Sequence, residues 1–251
     1  MKVISINDIC ISNDLPFVFI GGPCVIESEE HSFFMCEQLK FICDKLKIQY
    51  IFKSSFDKAN RTSINSARGV GMTKGLEILH SIRTKFNVPV LTDVHLPNQC
   101  QEVADAVDIL QIPAFLSRQT DLLEAAGNTD KIINVKKAQF MAPEDTKEII
   151  AKITQTGNTK ILLCDRGTCF GYHTLVNDFR ALPIMAKTGY PVIFDATHSV
   201  QLPSASGNCS SGEREFAPIL ARAAVAVGVA GVFMEVHNNP EKAPCDGPNM
   251  L

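Results

Sequence analysis

The stretch of this sequence best suited to chemistry is a run of basic and polar side chains over residues 53–63. It follows a short apolar run and places the cations Lys53, Lys58 and Arg61 close together, with Asp57 as the one carboxylate among them. The lysine ammonium groups are compact point charges, whereas the guanidinium can hold a phosphate through two hydrogen bonds. The run therefore predicts an anion-binding loop, although a solvated basic loop has the same composition.

Polar or metal-binding side chains also follow each of the short apolar runs that recur along the chain. They are Cys24, Lys53, Asp93 with His95, Gln111, Lys136, Arg166, His198 and Glu235. If these runs are strands of a barrel, the side chains at their C-terminal ends meet in one place. Lys53, Lys58, Lys136 and Arg166 would then share a pocket that suits a small substrate carrying both phosphate and carboxylate. Taken singly, each lysine is more often a surface residue or the partner of a nearby acid.

A second set of side chains has the chemistry of metal ligands. Cys24, His198, Glu235 and Asp246 offer a thiolate, an imidazole and two carboxylates, which suit a borderline divalent ion such as Fe²⁺, Zn²⁺ or Mn²⁺. Their spacing is unlike that of a zinc finger, and a lone cysteine or histidine is more often a core residue. The set becomes a site only if a closed barrel makes the first and last strands neighbours.

The elements that position these residues are predicted by the alternation of apolar runs and helical patterns. Eight short runs rich in β-branched residues are separated by segments with helical spacing, as at Leu76, Leu79 and Ile82. Near-continuous apolar strands that alternate with amphipathic helices indicate a parallel sheet covered on its faces. We therefore predict a (β/α)8 TIM barrel, preceded by a hairpin over residues 2–12, in a single domain over residues 1–251. An open doubly wound sheet is the alternative, but no GxGxxG follows the first strand.

Composition and charge exclude several classes of protein. The net charge of −3 argues against nucleic-acid binding. The sequence contains no apolar run long enough to predict a signal peptide or a membrane span. We therefore expect a cytoplasmic protein without a nucleic-acid or membrane partner. The nine cysteines are irregularly spaced and contain no CxxC pair, so we expect no disulfide framework.

The same residues lie within long motifs that resemble one enzyme family. The motifs include Gly-Pro-Cys-Val-Ile-Glu-Ser at 22–28, the run from Phe52 to Ser63, and Cys-Asp-Gly-Pro at 245–248. Others occupy residues 91–95, 111–121, 134–137, 164–167, 170–172, 194–201 and 235–237. In these motifs, which span nearly the whole chain, the sequence resembles the 3-deoxy-D-manno-octulosonate 8-phosphate synthases, a family of phosphoenolpyruvate-dependent aldolase-type barrels.

The resemblance implies a transferase that condenses phosphoenolpyruvate with D-arabinose 5-phosphate, a step towards the Kdo of lipopolysaccharide. It assigns phosphoenolpyruvate to Lys53, Lys58, Gln111, Ala114, Lys136 and Arg166. It assigns the sugar phosphate to Asn60, Arg61 and Thr62. Arg118 would reach the site of a neighbouring subunit, which implies a homo-oligomer, a tetramer by resemblance. Asp93 is a candidate for proton handling or for orienting a lysine.

The resemblance also implies metal dependence and a departure from the family pattern. Metal-dependent members carry cysteine at the position of Cys24, with His198, Glu235 and Asp246 as the other ligands, whereas metal-independent members carry asparagine there. Family members continue beyond the Cys-Asp-Gly-Pro motif into a last barrel helix, so we expect a shortened C-terminus without that helix. An apolar groove between the first and seventh helices would then be exposed or covered by a partner subunit.

Three alternative functions are compatible with these residues. The sister synthase that uses erythrose 4-phosphate to form 3-deoxy-arabino-heptulosonate 7-phosphate resembles Lys-Pro-Arg-Thr where this chain has Lys-Ala-Asn-Arg-Thr-Ser. A Schiff-base aldolase could be built on Lys53 or Lys136. A truncated, non-catalytic paralogue that only binds sugar phosphates is the third alternative, favoured by the expected loss of the last helix.

Overall fold

Residues near the N-terminus form an antiparallel hairpin in the computed structural model, which describes residues 1–60, 67–169, 171–203 and 211–251. Strand β1 (Ile4–Ile6) pairs with β2 (Ile9–Ile11). Asn7 takes a φ of 48° in the connecting turn, a left-handed conformation that asparagine tolerates. The predicted N-terminal hairpin is therefore confirmed.

Eight parallel strands then close into a barrel. They are β3 (Val18–Gly22), β4 (Tyr50–Lys53), β5 (Val90–Asp93), β6 (Ile109–Ile112), β7 (Ile132–Lys136), β8 (Ile161–Asp165), β9 (Val192–Asp195) and β12 (Gly231–Glu235). The barrel closes because β12 pairs with both β9 and β3. This closure places Glu235 opposite Gly22, so the first and last strands are neighbours as predicted.

Side-chain alternation along the strands divides the barrel interior into an apolar end and a polar end. Inward-facing residues near the strand starts form one buried cluster with Ile4, Ile6 and Ile11 of the hairpin. The cluster includes Ile20, Ile51, Leu91, Ile109, Ile132, Leu162, Ile193 and Phe233. Because strand side chains repeat every two residues, the same interior face continues to a polar set. That set comprises Lys53, Asp93, Gln111, Lys136, Asp195 and Glu235.

Seven α-helices occur in the described part of the chain. They are α1 (Glu29–Leu46), α2 (Met72–Phe86), α3 (Cys100–Ala106), α4 (Thr120–Gly127), α5 (Thr146–Thr154), α6 (Ala181–Ala186) and α7 (Ala217–Val227). Their apolar faces and the outward-facing strand residues form the larger core. In α1, the Ser28 hydroxyl accepts the His31 backbone N–H at 3.1 Å and caps the helix. None of the described helices is long and apolar enough to cross a membrane.

The C-terminal segment folds across the barrel mouth as a loop. Among the described residues after β12 there is a 3-10 helix at Pro240–Lys242 and no α-helix. The backbone of Leu251 bonds to the Glu235 carbonyl and to the His237 N–H, which holds the segment down. Near this end of the barrel, β10 (Gln201–Leu202) pairs with β11 (Ser211–Gly212).

Helix α7 buries a different face from the one its larger apolar residues suggest. Its buried side chains are Ala217, Ala221 and Ala224, whereas Ile219 and Val227 are exposed. Small side chains allow the helix to lie close to the barrel. Helix α1 also exposes apolar side chains, namely Phe34, Phe41, Ile42 and Leu46. Both helices thus expose apolar side chains to solvent.

Candidate active site

A cavity of about 460 Å³ opens at the C-terminal ends of the barrel strands. It brings together most of the predicted site residues: Lys53, Lys58, Asn60, Asp93, Gln111, Ala114, Lys136, Arg166, His198, Glu235 and Asp246. The Sγ atom of Cys24 lies 3.2 Å from Asp246 Oδ2, directly beside this lining. Several of the charged groups are the last residues of their strands, which fixes their positions by the backbone hydrogen bonds of the barrel.

The Glu235 carboxylate lies between two lysine ammonium groups of the cavity. Its Oε1 atom lies 2.6 Å from Lys53 Nζ and 3.5 Å from Lys58 Nζ. Burial would raise the pKa of the Glu235 carboxyl, but the surrounding cations, Lys53 first, hold the pKa well below its ordinary value. The carboxylate is therefore ionised and compensates the buried Lys53 ammonium, which also donates to the Cys24 carbonyl at 3.1 Å.

Asp195 joins a lysine to a histidine. Its Oδ2 atom lies 2.6 Å from Lys136 Nζ and 2.8 Å from His198 Nδ1, and its side chain is fully buried. A carboxylate at Nδ1 fixes the tautomer in which Nδ1 carries the proton, so Nε2 presents a lone pair. His198 Nε2 faces Glu235 Oε2 at 3.6 Å, as a metal ligand would.

Asp93 accepts hydrogen bonds from a network of buried hydroxyl and amide side chains. Its carboxylate accepts a hydrogen bond from Ser55 Oγ and a second from Gln111 Nε2 at 2.5 Å. The Gln111 oxygen in turn accepts from Asn134 Nδ2 at 2.8 Å. Burial would raise the pKa of Asp93, but Lys53 and Lys58 lower it well below its ordinary value. An ionised Asp93 is suited to orienting Gln111 and to balancing the lysines, and unsuited to donating a proton at neutral pH.

Gln201 connects the anion pocket to the metal-ligand side of the cavity. Its amide oxygen accepts from Arg166 Nη2 at 2.8 Å, and its amide nitrogen donates to Asp246 Oδ1 at 3.1 Å. Within the described residues Arg166 forms no ion pair with a carboxylate. Its buried guanidinium thus retains donors that face the cavity.

The predicted metal ligands converge, and their donor atoms fit a divalent ion. Donor atoms of His198, Glu235 and Asp246 all lie within 4.8 Å of one another, and Cys24 is adjacent to Asp246. Ligands of one first-row ion, at bond lengths of about 2.0–2.3 Å, lie at roughly such separations. Thiolate, imidazole and carboxylate together match the preference of Fe²⁺, Zn²⁺ or Mn²⁺.

One disulfide lies at this site, although no disulfide framework was expected. Cys24 is joined to Cys245 in a disulfide, with Cα atoms 6.5 Å apart. The two residues are 221 positions apart in sequence, so no local spacing could reveal the pair. Because a disulfide sulfur carries no thiolate charge, Cys24 can serve as a metal ligand only in the reduced protein.

A further cluster, formed by Glu27, His31 and His237, ties the start of α1 to the segment after β12. His237 Nε2 lies 2.8 Å from Glu27 Oε1, and the N–H of Asn239 donates to His237 Nδ1 at 2.9 Å. Since Nδ1 accepts a hydrogen bond, Nε2 carries the proton and donates it to Glu27. This arrangement leaves His237 no lone pair for an ion. The cluster therefore connects α1 to the segment after β12 by hydrogen bonds and has a structural role.

Some predicted site residues stand apart from the cavity. Arg118 is exposed and outside the lining, and its backbone carbonyl accepts a hydrogen bond from Lys152 Nζ at 2.9 Å. Arg61 and Thr62 lie outside the described residues. The sequence reasoning also missed Ser55, Asn134, Asp195, Gln201 and Cys245. Asp195 ends an apolar run and could have been found by that signal, whereas the others are revealed by their contacts.

Comparison with known proteins shows the family to which this chain belongs. The family model described as the DAHP synthetase I family matches residues 1–251. The chain is 60% identical to a 2-dehydro-3-deoxyphosphooctonate aldolase from Granulibacter bethesdensis over 250 residues, which cover 100% of this chain and 89% of that protein. It is 58% identical to proteins of the same name from Rickettsia bellii and a Cyanothece species, of which it covers 91% and 92%. The chain therefore belongs to the DAHP synthetase I family.

Proposed function

We propose that this protein condenses phosphoenolpyruvate with D-arabinose 5-phosphate and water, giving 3-deoxy-D-manno-octulosonate 8-phosphate and inorganic phosphate. The observation that carries the proposal is the convergence of Lys53, Lys58, Lys136 and Arg166 with a metal-ligand set on one cavity. The relatives named 2-dehydro-3-deoxyphosphooctonate aldolase, aligned along the whole chain, support the same reaction.

The cations that line the cavity suit phosphoenolpyruvate as a substrate. Lys53, Lys136 and Arg166 offer charge-assisted hydrogen bonds to its carboxylate and phosphate, with Gln111 and Ala114 completing the pocket. Lys136 is held by Asp195, and Arg166 is held by Gln201, so both cations are positioned before substrate binds. Preorganisation of this kind lowers the reorganisation that the reaction needs.

The reaction forms one carbon–carbon bond and one carbon–oxygen bond from water, and it breaks the carbon–oxygen bond to phosphate. C3 of the enol attacks the aldehyde carbon of the sugar, water adds at C2, and phosphate leaves by cleavage of its bond to C2. Charge develops at C2 and on the aldehyde oxygen during these steps. The fixed cations Lys53, Lys58 and Lys136 are placed to stabilise this charge.

Cys24, His198, Glu235 and Asp246 would hold the divalent ion, which we expect to be Fe²⁺, Zn²⁺ or Mn²⁺. When bound, such an ion would polarise or orient the aldehyde or a water. Asp195 keeps the lone pair of His198 Nε2 directed towards Glu235. Gln201 keeps Asp246 in place beside Cys24.

The sugar phosphate is assigned to the loop that follows β4. Asn60 lines the cavity, and the resemblance adds Arg61 and Thr62. The sequence Lys-Ala-Asn-Arg-Thr-Ser over 58–63 favours arabinose 5-phosphate over the erythrose 4-phosphate of the sister synthases. The intact cation set also argues against a non-catalytic paralogue.

The resemblance also supports proposals about the protein's oligomeric state, its cellular location and its pathway. We propose that the chain acts as a single barrel domain within a homotetramer, in which Arg118 reaches the site of a neighbouring subunit. Its exposed position outside its own cavity supports this role. A cytoplasmic location and a role in supplying the Kdo of lipopolysaccharide complete the proposal.

Phosphate release tests the proposed function directly. Reduced protein is stripped with a chelator, reloaded with Zn²⁺ or Mn²⁺, and mixed with phosphoenolpyruvate and either arabinose 5-phosphate or erythrose 4-phosphate. We expect release only with metal and only with arabinose 5-phosphate. Release with erythrose 4-phosphate alone would assign the sister reaction. Absence of release from folded, metal-loaded protein would favour the non-catalytic paralogue, and trapping of a substrate by borohydride would reveal a Schiff base.

A further inference from the structure

One aromatic ring lies in the barrel interior next to the charged groups of the cavity. Phe233 is the third residue of β12, and its side chain is fully buried. Because side chains alternate along a strand, Phe233 points to the same interior face as Glu235, one layer deeper. In the described part of the chain, the other members of its interior cluster are aliphatic residues and one cysteine. Phe233 is thus the one aromatic group that this cluster offers to the polar set.

Two of the ammonium groups that line the cavity lie over this ring. Lys136 Nζ is 4.1 Å from the centroid of the Phe233 ring, and Lys53 Nζ is 5.5 Å from it. Both distances are within the range of about 6 Å in which the negative face of an aromatic ring attracts a cation. Both lysine side chains are buried, so little water competes for the ammonium groups. The attraction is therefore stronger than it would be at the protein surface.

The ring complements the carboxylates that pair with the same two lysines. Lys53 Nζ lies 2.6 Å from Glu235 Oε1, and Lys136 Nζ lies 2.6 Å from Asp195 Oδ2. A second carboxylate in place of the ring would take a further N–H donor and neutralise the cation. An aromatic face stabilises the positive charge without taking a donor in this way. The ammonium groups thus keep both charge and donors for an anion in the cavity.

The other cation–π contacts in the described part of the chain lack these features. Lys85 Nζ lies 4.5 Å from the centroid of the Phe33 ring, and Lys2 Nζ lies 3.9 Å from that of the Tyr190 ring. Both of these lysines are exposed, and neither lines the cavity. Among the described residues, only Phe233 has two buried ammonium groups over one ring.

From this geometry we propose that Phe233 is a positioning residue. Its ring holds the Lys53 and Lys136 ammonium groups in place for the carboxylate and phosphate of phosphoenolpyruvate. Phe233 acts through the lysines, since it is fully buried and outside the cavity lining. The inference rests on the proposed function, which assigns these two lysines to phosphoenolpyruvate.

The first test changes the electrostatics of the ring in the full-length protein. Phe233 is replaced by mono-, di- and trifluorinated phenylalanine, incorporated at this one position. Fluorine withdraws electron density and weakens the negative ring face stepwise, while the side chain keeps its shape and its apolar character. We expect the urea midpoint of the metal-free protein to fall with each added fluorine, because the buried ammonium groups lose stabilisation. A ring that serves only in packing would keep or raise the midpoint.

The second test measures phosphoenolpyruvate binding by calorimetry. The reduced protein is kept saturated with Zn²⁺, because Phe233 also adjoins the ring of the proposed ligand His198, at 6.0 Å between centroids. We expect Kd to rise along the fluorinated series, by about tenfold for the trifluorinated ring. The KM for D-arabinose 5-phosphate at saturating phosphoenolpyruvate should stay within about twofold. This split is expected because the sugar phosphate is assigned to the loop after β4.

Phe194 provides the matched control. It is also almost completely buried, but it lies on β9 and packs against the Phe179 ring in the outer core, with 5.4 Å between centroids. Within the described residues no lysine lies over the Phe194 ring. The same fluorinated series at this position should leave the urea midpoint, the Kd and the KM unchanged. An equal response at both positions would show that fluorination acts through packing and would overturn the proposal.

The proposed positioning role and the proposed function fail in different ways. If phosphate is released as proposed but the midpoint or the Kd ignores fluorination of Phe233, the positioning role is wrong and the reaction stands. If both quantities respond in order but no phosphate is released with either sugar phosphate, the positioning role stands and the proposed reaction is wrong.

Discussion

Oδ2 of Asp195 lies 2.8 Å from Nδ1 of His198, and the same oxygen lies 2.6 Å from Nζ of Lys136. One buried carboxylate therefore orients a proposed metal ligand and a proposed phosphoenolpyruvate-binding cation at once. Burial would raise the pKa of Asp195, but His198 and Lys136 hold it well below its ordinary value. Asp195 is a positioning residue that couples the two halves of the site.

Asp195→Asn should weaken both halves. We expect metal affinity to fall by about 10–100-fold, because the amide no longer fixes the His198 tautomer, with a parallel loss in kcat/KM. Zn²⁺ titration and phosphate-release kinetics measure the two effects. Asp130→Asn, which removes a carboxylate from the exposed pair with Lys160, serves as the control and should change neither. Normal metal affinity in Asp195→Asn would contradict the positioning role.

Glu235→Gln should destabilise the fold more than removal of a surface carboxylate does. The substitution leaves the Lys53 ammonium buried without its partner, which typically costs about 3–5 kcal/mol. Glu241→Gln is the matched control, since Glu241 pairs with Arg214 at the surface, and should cost roughly 1 kcal/mol or less. Urea unfolding of the metal-free proteins measures both. Equal losses for the two variants would show that the buried pair has no special role.

Acid should weaken the fold through the same carboxylates. Asp93, Asp195 and Glu235 have folded-state pKa values below their ordinary values of 3.8, 3.8 and 4.5. The unfolded chain therefore binds more protons in acid, and the stability these groups contribute is present above the ordinary values and is lost as the pH falls below them. The urea midpoint of metal-free protein should fall steeply from about pH 5 to pH 3. Asp93→Asn should reduce that slope, and an unchanged slope would exclude Asp93 as a contributor.

Gln201→Leu should disturb substrate and metal binding together. The change removes the bridge between Arg166 and Asp246 while keeping a side chain of similar size. We expect an increase in the KM for phosphoenolpyruvate and a loss of Zn²⁺ affinity of roughly tenfold or more, because a hydrogen bond to a charged group is worth roughly 1.5–3 kcal/mol. Gln155→Leu, at an exposed position after α5, is the control and should leave both constants unchanged. A change in only one constant would mean that Gln201 does not couple them.

Ile11→Ala should destabilise the barrel without touching its chemistry. Ile11 is fully buried in the cluster that fills the N-terminal end of the barrel, and an Ile→Ala change in a core typically costs about 2–5 kcal/mol. Ile9→Ala, at a partly buried position of the same strand, should cost clearly less. Thermal or urea unfolding measures the difference, and kcat/KM at low temperature should be unchanged for both. Equal losses in the free energy of unfolding for the two variants would show that Ile11 does not stabilise the barrel by packing against its N-terminal end.

Much of the fold was predictable because its signals are local. Eight apolar runs separated by helical patterns predict a closed barrel, and the turn around Asn7 predicts the hairpin. The cavity residues were predictable because each follows an apolar run and barrel closure brings strand ends together, as it does for Lys53, Lys136 and Glu235. The motif resemblance then supplied their proposed roles.

The sequence by itself thus determined the element types, their order and the residues at the strand ends, since these depend on side-chain period and on neighbours in the chain. Only the tertiary structure decided which side chains touch. The Asp195 bridge, the Gln201 link and the Cys24–Cys245 pair join residues from different strands and loops. The buried face of α7 was also decided there, by how closely its alanines approach the barrel. Such contacts depend on distances in space across the closed barrel, which the spacing of residues along the chain does not encode.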